Sequence, residues 1–101
     1  MKVKIPRKIK IGATPVFILR KQYLQGDEGF HGTFNRRTGE LEIDSSLDGA
    51  IRDKSFAHEI MEVIKESYNL HTPEDDMSNI GNGWIEFLWQ LGIEFDWGNI
   101  K

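Results

Sequence analysis

The stretch Phe56-Ala57-His58-Glu59-Ile60-Met61-Glu62 brings one imidazole and two carboxylates within five residues. On an α-helix, at about 100° per residue, His58 and Glu62 lie about 40° apart and one turn apart. An imidazole nitrogen and a carboxylate oxygen then meet on one face, and both are ordinary zinc donors at about 2.0–2.2 Å. Glu59 falls about 100° from His58, at the edge of that face. It would sit beside a metal without binding it and could take a proton from a metal-activated water, the role of the Glu in H-E-x-x-H zinc helices. A Glu-rich helix face with one His is also common as plain solvated surface, so the pair counts as a site only with a third donor. His71 is one candidate, just past the same helix. Glu74 is the competitor, although an acid in a first helical turn is also favoured by the helix dipole alone. His31 reads as a cross-strand surface residue.

Those side chains need a scaffold, and the hydrophobic pattern predicts one. Val3 and Ile5 alternate with Lys2 and Lys4, Ile9 and Ile11 alternate with Lys8 and Lys10, and Val16 to Leu24 is a β-branched and aromatic run. Gln25 to Gly29 reads as a loop. Phe30–Asn35 and Glu40–Asp44, joined by Arg36-Arg37-Thr38-Gly39, read as a β-hairpin. The period then changes. Phe56, Ile60, Val63 and Ile64 mark one face of a helix over about residues 50–70, with Asp48 as its N-cap. A second helix opens at Thr72-Pro73-Glu74-Asp75, with Thr72 as cap and Pro73 in the first helical position. Its expected core side is Met77, Ile80, Trp84, Leu88 and Leu91, with Gly81 and Gly83 kinking it or allowing close contact with the first helix. Strands followed by helices predict an α+β fold, a small antiparallel sheet packed on two C-terminal helices.

Composition narrows the function. The chain has 101 residues, a formal charge of −3, no Cys, six Phe and three Trp. One domain over residues 1–101 is the expectation. The absence of Cys excludes a disulfide scaffold, a thiolate zinc site and a Cys nucleophile. No apolar run is long enough to span a membrane, and a cytoplasmic protein is the simplest reading. Residues 1–24 carry seven basic groups and no acid, while all sixteen acids follow. No nucleic-acid motif accompanies the basic residues, so nucleic acid is not an expected partner. Nucleotide and redox cofactor motifs are absent as well.

Taken in order, Leu41-Glu42-Ile43-Asp44-Ser45-Ser46-Leu47, His58-Glu59-Ile60-Met61-Glu62 and the helix opening at Pro73 resemble small phage- and prophage-encoded proteins related to zinc-dependent metallopeptidases. The minigluzincins are among them. The resemblance covers about residues 8–95. It implies a metallopeptidase-type domain with one Zn2+, held by His58, Glu62 and either His71 or Glu74, and a hydrolase mechanism with Glu59 as general base. It points to Glu74 because relatives with H-E-x-x-E place a ligand near there, and to Glu86 by analogy with a helical third ligand. It also implies that a hairpin strand pairs with an extended peptide substrate. If the chain is phage-encoded, the site of action is the host cytoplasm, on a peptide or host protein. One departure stands out: position 62 is Glu where active peptidases carry His. The added negative charge lowers Lewis acidity at the metal. The alternative is therefore a catalytically inactive binding protein. Its acidic helix face, Glu59, Glu62, Glu66, Glu74, Asp75 and Asp76, would block a host partner. The aromatic tail with Phe95 and Trp97 is a candidate lid over the site.

Overall fold

The computed structural model describes residues 1–22 and 31–100. Elements run β1 (Lys2–Lys4), β2 (Lys8–Ile11), β3 (Thr14–Lys21), β4 (Gly32–Asn35), β5 (Glu40–Asp44), α1 (Gly49–Ser67), α2 (Glu74–Gln90) and β6 (Glu94–Asp96). The fold is α+β, with the two helices after the main strands. Four strands form a sheet in the order β2-β3-β5-β4, and β1 pairs with β6 in a second, two-stranded sheet. The main sheet is mixed rather than antiparallel: β3 and β5 run parallel, Ile18 opposite Leu41 and Arg20 opposite Ile43. Alternation of apolar residues sets which face of a strand is buried and is the same for either direction, so the pattern could not reveal this. The expected Gln25–Gly29 loop and Phe30 lie outside the described residues.

Period-two burial builds one wall of the core. Val16 and Ile18 are buried while Phe17 between them is exposed, and Leu41 and Ile43 are fully buried on β5. The next residue, Asp44, turns the chain. Its Oδ1 accepts hydrogen bonds from the Ser46 N–H at 2.8 Å and the Ser46 hydroxyl at 2.7 Å, and Leu47 then re-enters the core. That is the physical content of the Leu41–Leu47 segment: two core positions, a side-chain-capped turn and a third core position before α1.

α1 lays Phe56 and Val63 against this wall, with Ile60 partly buried beside them. Asp48 is the N-cap residue as expected, although its side chain makes no capping bond. The helix ends at Ser67 with Tyr68 as C-cap; Asn69 follows in a left-handed conformation with φ 54°, and the Leu70 N–H reaches back to the Lys65 carbonyl at 2.9 Å. This 6→1 closure turns the chain sharply and brings α2 back along α1. α2 begins one residue later than expected, with Pro73 rather than Thr72 as cap.

The buried line of α2 also differs from the expected one. Met77, Gly81 and Ile85 face inward, while Ile80, Trp84 and Leu91 are exposed. Gly81 is the cause. A Cβ there would stand 3.4 Å from the Ala57 carbonyl carbon and 3.5 Å from its methyl, so glycine allows α2 to approach α1 along this line. Among the described residues no helix is long and apolar enough to cross a membrane.

Candidate metal centre

His58 and Glu62 project from α1 toward the start of α2, and Glu74 comes from the first turn of α2. His58 Nε2 lies 3.9 Å from Glu62 Oε1 and 3.7 Å from Glu74 Oε2. One donor atom from each of the three residues falls within 4.8 Å of the others. One turn further along α2, Ser78 Oγ is 2.9 Å from His58 Nδ1. With the Nδ1–H donating to that oxygen, the Nε2 lone pair faces the two carboxylates.

Glu59 is buried, 8% exposed, beside this group. Its neighbour across the cleft is Gly32 on the edge strand β4. A Cβ at Gly32 would meet Glu59 Cγ at 3.2 Å and Ile43 Cδ1 at 2.8 Å, so only glycine lets the strand pass so close. Burial, then the charges of Glu62 and Glu74, pushes the Glu59 carboxyl up to about 7. Glu62 is also raised to about 7, by burial and by a hydrogen bond with Glu74, which holds Glu74 below its ordinary value. Three crowded carboxyls therefore compete for too little positive charge, and a divalent cation would relieve that repulsion.

A cleft about 500 Å³ in volume opens on His58 and Glu59 and is walled by His31, Lys54, Ser55 and Asn82. A smaller one of about 270 Å³ adjoins it through the same two residues and Gly32, reaching Phe34 and Arg36. Both border β4, which is the last strand of its sheet. No protein-family model, curated protein or solved structure matches this chain.

The donor set could hold a metal ion. Three ligand atoms around a tetrahedral ion at about 2.0–2.2 Å stand about 3.3–3.6 Å apart. The distances of 3.7 and 3.9 Å around Nε2 need only a small closure to reach that. Two carboxylates also match a dication in charge, and a neutral imidazole completes the set.

Among the sequence candidates, the structure groups His58, Glu62 and Glu74, with Glu59 alongside. His71 is exposed in the connection between the helices and outside this group. Glu86 is exposed and pairs with Lys54 at 3.3 Å. His31 is exposed as expected and stands at the cleft rim. The tail does not form a lid. Phe95 and Trp97 pack edge-on against Phe56, which lies about 200° around α1 from His58. Ser78 was not singled out by sequence reasoning. Its signal was the polar line Glu74, Ser78, Asn82 at i, i+4, i+8, which flanks the buried line of Met77, Gly81 and Ile85.

Proposed function

We propose that this chain is a small zinc-dependent protein of metallopeptidase type, with His58, Glu62 and Glu74 as the metal ligands and Glu59 as the general base. The observation that carries the reading is the convergence of those three donors from two helices around His58 Nε2. Zinc is preferred over magnesium or calcium because one donor is an imidazole. A bound zinc ion would supply Lewis acidity to a peptide carbonyl and to the attacking water.

The chain's own groups supply the rest. Glu59, with a carboxyl raised to about 7, can exchange a proton near neutral pH. It would take the proton from water on its carboxylate oxygen and hand it to the leaving amine. Ser78 orients His58 through Nδ1. β4, unpaired on its outer edge among the described residues, would bind an extended peptide by main-chain hydrogen bonds along the cleft. The substrate class is thus a peptide or an extended segment of a host protein.

The inactive-binder reading has weaker support. Of its acidic face, Glu59 is buried and Glu66 is tied to Arg36 at 2.6 Å, so only Glu62 and the first turn of α2 remain to carry it.

Zinc titration monitored by calorimetry tests the proposal. Wild type is expected to bind one zinc per chain. His58→Ala, Glu62→Ala and Glu74→Ala are expected to lose it, while His71→Ala keeps it. Glu59→Gln is expected to hold zinc and lose cleavage of a peptide library. No zinc binding by wild type overturns the metal centre. Zinc binding without cleavage of any peptide overturns the peptidase reading alone.

A further inference from the structure

α1 packs on the sheet face that carries Val16, Ile18, Leu41 and Ile43. The opposite face has a different character. Strand register sets Lys8 beside Phe17 and Lys10 beside Pro15 there. Phe17 is 38% exposed, a large aromatic at the surface. A Cβ at Gly39 would stand 3.3 Å from Phe17 Cδ2, so the ring is held in place against backbone on one side. Lys8 Nζ lies 5.3 Å from the ring centroid. β2 begins at Lys8, opposite Phe17. Past that point a hollow of about 390 Å³ runs along Phe17 and Leu19, with Arg7, Asn99 and Ile100 as its far wall.

We propose that this face binds single-stranded nucleic acid, with Phe17 stacking on a base and Arg7, Lys8 and Lys10 meeting the phosphates. The three cations are exposed, and none forms an ion pair with another described residue. They belong to the first 24 residues, which hold seven basic groups and no acid. The acids of this face, Glu40 and Glu42, are half-buried on β5, opposite Phe17 and Leu19. Positive charge therefore gathers on the β2 side of the ring, and repulsion from β5 keeps a phosphate backbone there.

The ring among the lysines is what selects this occupant. In sequence the basic residues come without a nucleic-acid motif, but the register brings Phe17 into their midst. Sequence-tolerant single-strand binders combine a basic track with an aromatic platform, because every base has a π-face. An acidic peptide would satisfy the lysines and leave the ring unused. A duplex keeps its base faces stacked inside and away from the ring. Lys8 and Lys10 stand about 6.6 Å apart along β2, so they can meet neighbouring phosphates of an extended strand. The hollow beside Phe17 falls within the ~300–1,000 Å³ of small-ligand clefts, enough for a second base. The face lies across the sheet from α1, and the inference does not depend on the metal.

Fluorescence anisotropy of the full chain with labelled oligothymidylate and oligouridylate at low salt reads the outcome. Wild type is expected to bind at least one of them, and the two arms show whether the sugar matters. Duplex DNA, inorganic polyphosphate and polyglutamate are each expected to compete less well than the unlabelled single strand. Phe17→Leu keeps an apolar side chain without a ring and is expected to weaken single-strand binding about 10-fold. Lys8→Gln combined with Lys10→Gln is expected to lower the slope of log affinity against log salt by about 1.4, about 0.7 for each phosphate contact removed. All three positions are exposed, and circular dichroism confirms that the variants are folded. No binding of either single strand overturns the proposal. So does a duplex, polyphosphate or polyglutamate that competes as well as the single strand, or a Phe17→Leu chain that binds like wild type.

Discussion

At the scale of single residues, the candidate metal centre turns on His58 and on what holds its ring. Ser78 Oγ is the partner of Nδ1 at 2.9 Å. Ser78→Ala is expected to weaken zinc binding by about 10-fold or more, and Ser78→Thr to retain most of it, as metal titration would show. The carboxyls set a pH dependence. Glu59 and Glu62 are held at about 7 in the folded chain against an ordinary 4.5. Both forms of the chain are protonated there below the ordinary value, and the stabilising contribution is lost as pH rises through about 7. Glu74, shifted the other way, opposes this only weakly because it is exposed. Metal-free protein is thus expected to be more stable to urea at mildly acidic than at mildly alkaline pH. Glu59→Gln removes part of that slope and, above neutrality, is expected to add about 1–3 kcal/mol. On the proposed ligand set zinc would displace a proton from Glu62, so its affinity is expected to rise with pH. His58, Glu59 and Glu62 were legible in the sequence because a helix makes their spacing a spatial statement. The choice between Glu74 and His71 was not, because it depends on how the chain turns at Asn69.

At the scale of elements, the site exists because α2 returns along α1 at one rotation. Gly81 sets that rotation by letting α2 close on Ala57. Gly81→Leu forces the helices apart. It is expected to cost about 1–3 kcal/mol in stability and to weaken zinc binding as well, since Glu74 and Ser78 ride on α2. Gly81→Ala adds a methyl at close to ordinary contact distance and is expected to retain the metal. Sequence reasoning anticipated close approach at the glycines and the burial of Met77, but it placed Ile80, Trp84 and Leu91 in the seam, where the structure has Gly81 and Ile85. α2 is apolar over too broad an arc for periodicity to choose between its two stripes, and the larger side chains were the misleading ones. The hairpin β4–β5 was legible from alternation around a Gly-containing turn. There Asn35 Oδ1 accepts the Arg37 N–H at 2.9 Å and the Gly39 N–H reaches the Asn35 carbonyl at 2.7 Å. The parallel β3–β5 pairing was not legible, because strand direction is decided by partners distant in sequence.

At the scale of the whole molecule, the tail is structural. Trp97 is buried against Phe56, and its Nε1–H donates to Asp53 Oδ1 at 3.0 Å. Trp97→Phe keeps most of the apolar contact and removes that donor from a buried carboxylate. A loss of about 1–3 kcal/mol is expected in urea unfolding, with zinc affinity little changed because Asp53 lies away from the metal group. The α+β class was readable from the change of period along the chain, whereas the role of the tail was not, since three short-strand residues carry no periodic signal. The parallel pairing of β1 with β6 has a further consequence for synthesis. The ribosome makes β1 before every other described element and β6 after all of them. Until β6 is made, β1 therefore has exposed lysines and no partner strand, while the β2–β5 sheet and both helices can already form. The two-stranded sheet closes last, and with it Phe95 and Trp97 reach Phe56. Until β6 emerges, the core stays unsealed at that end, where Phe56 lacks both of its aromatic partners.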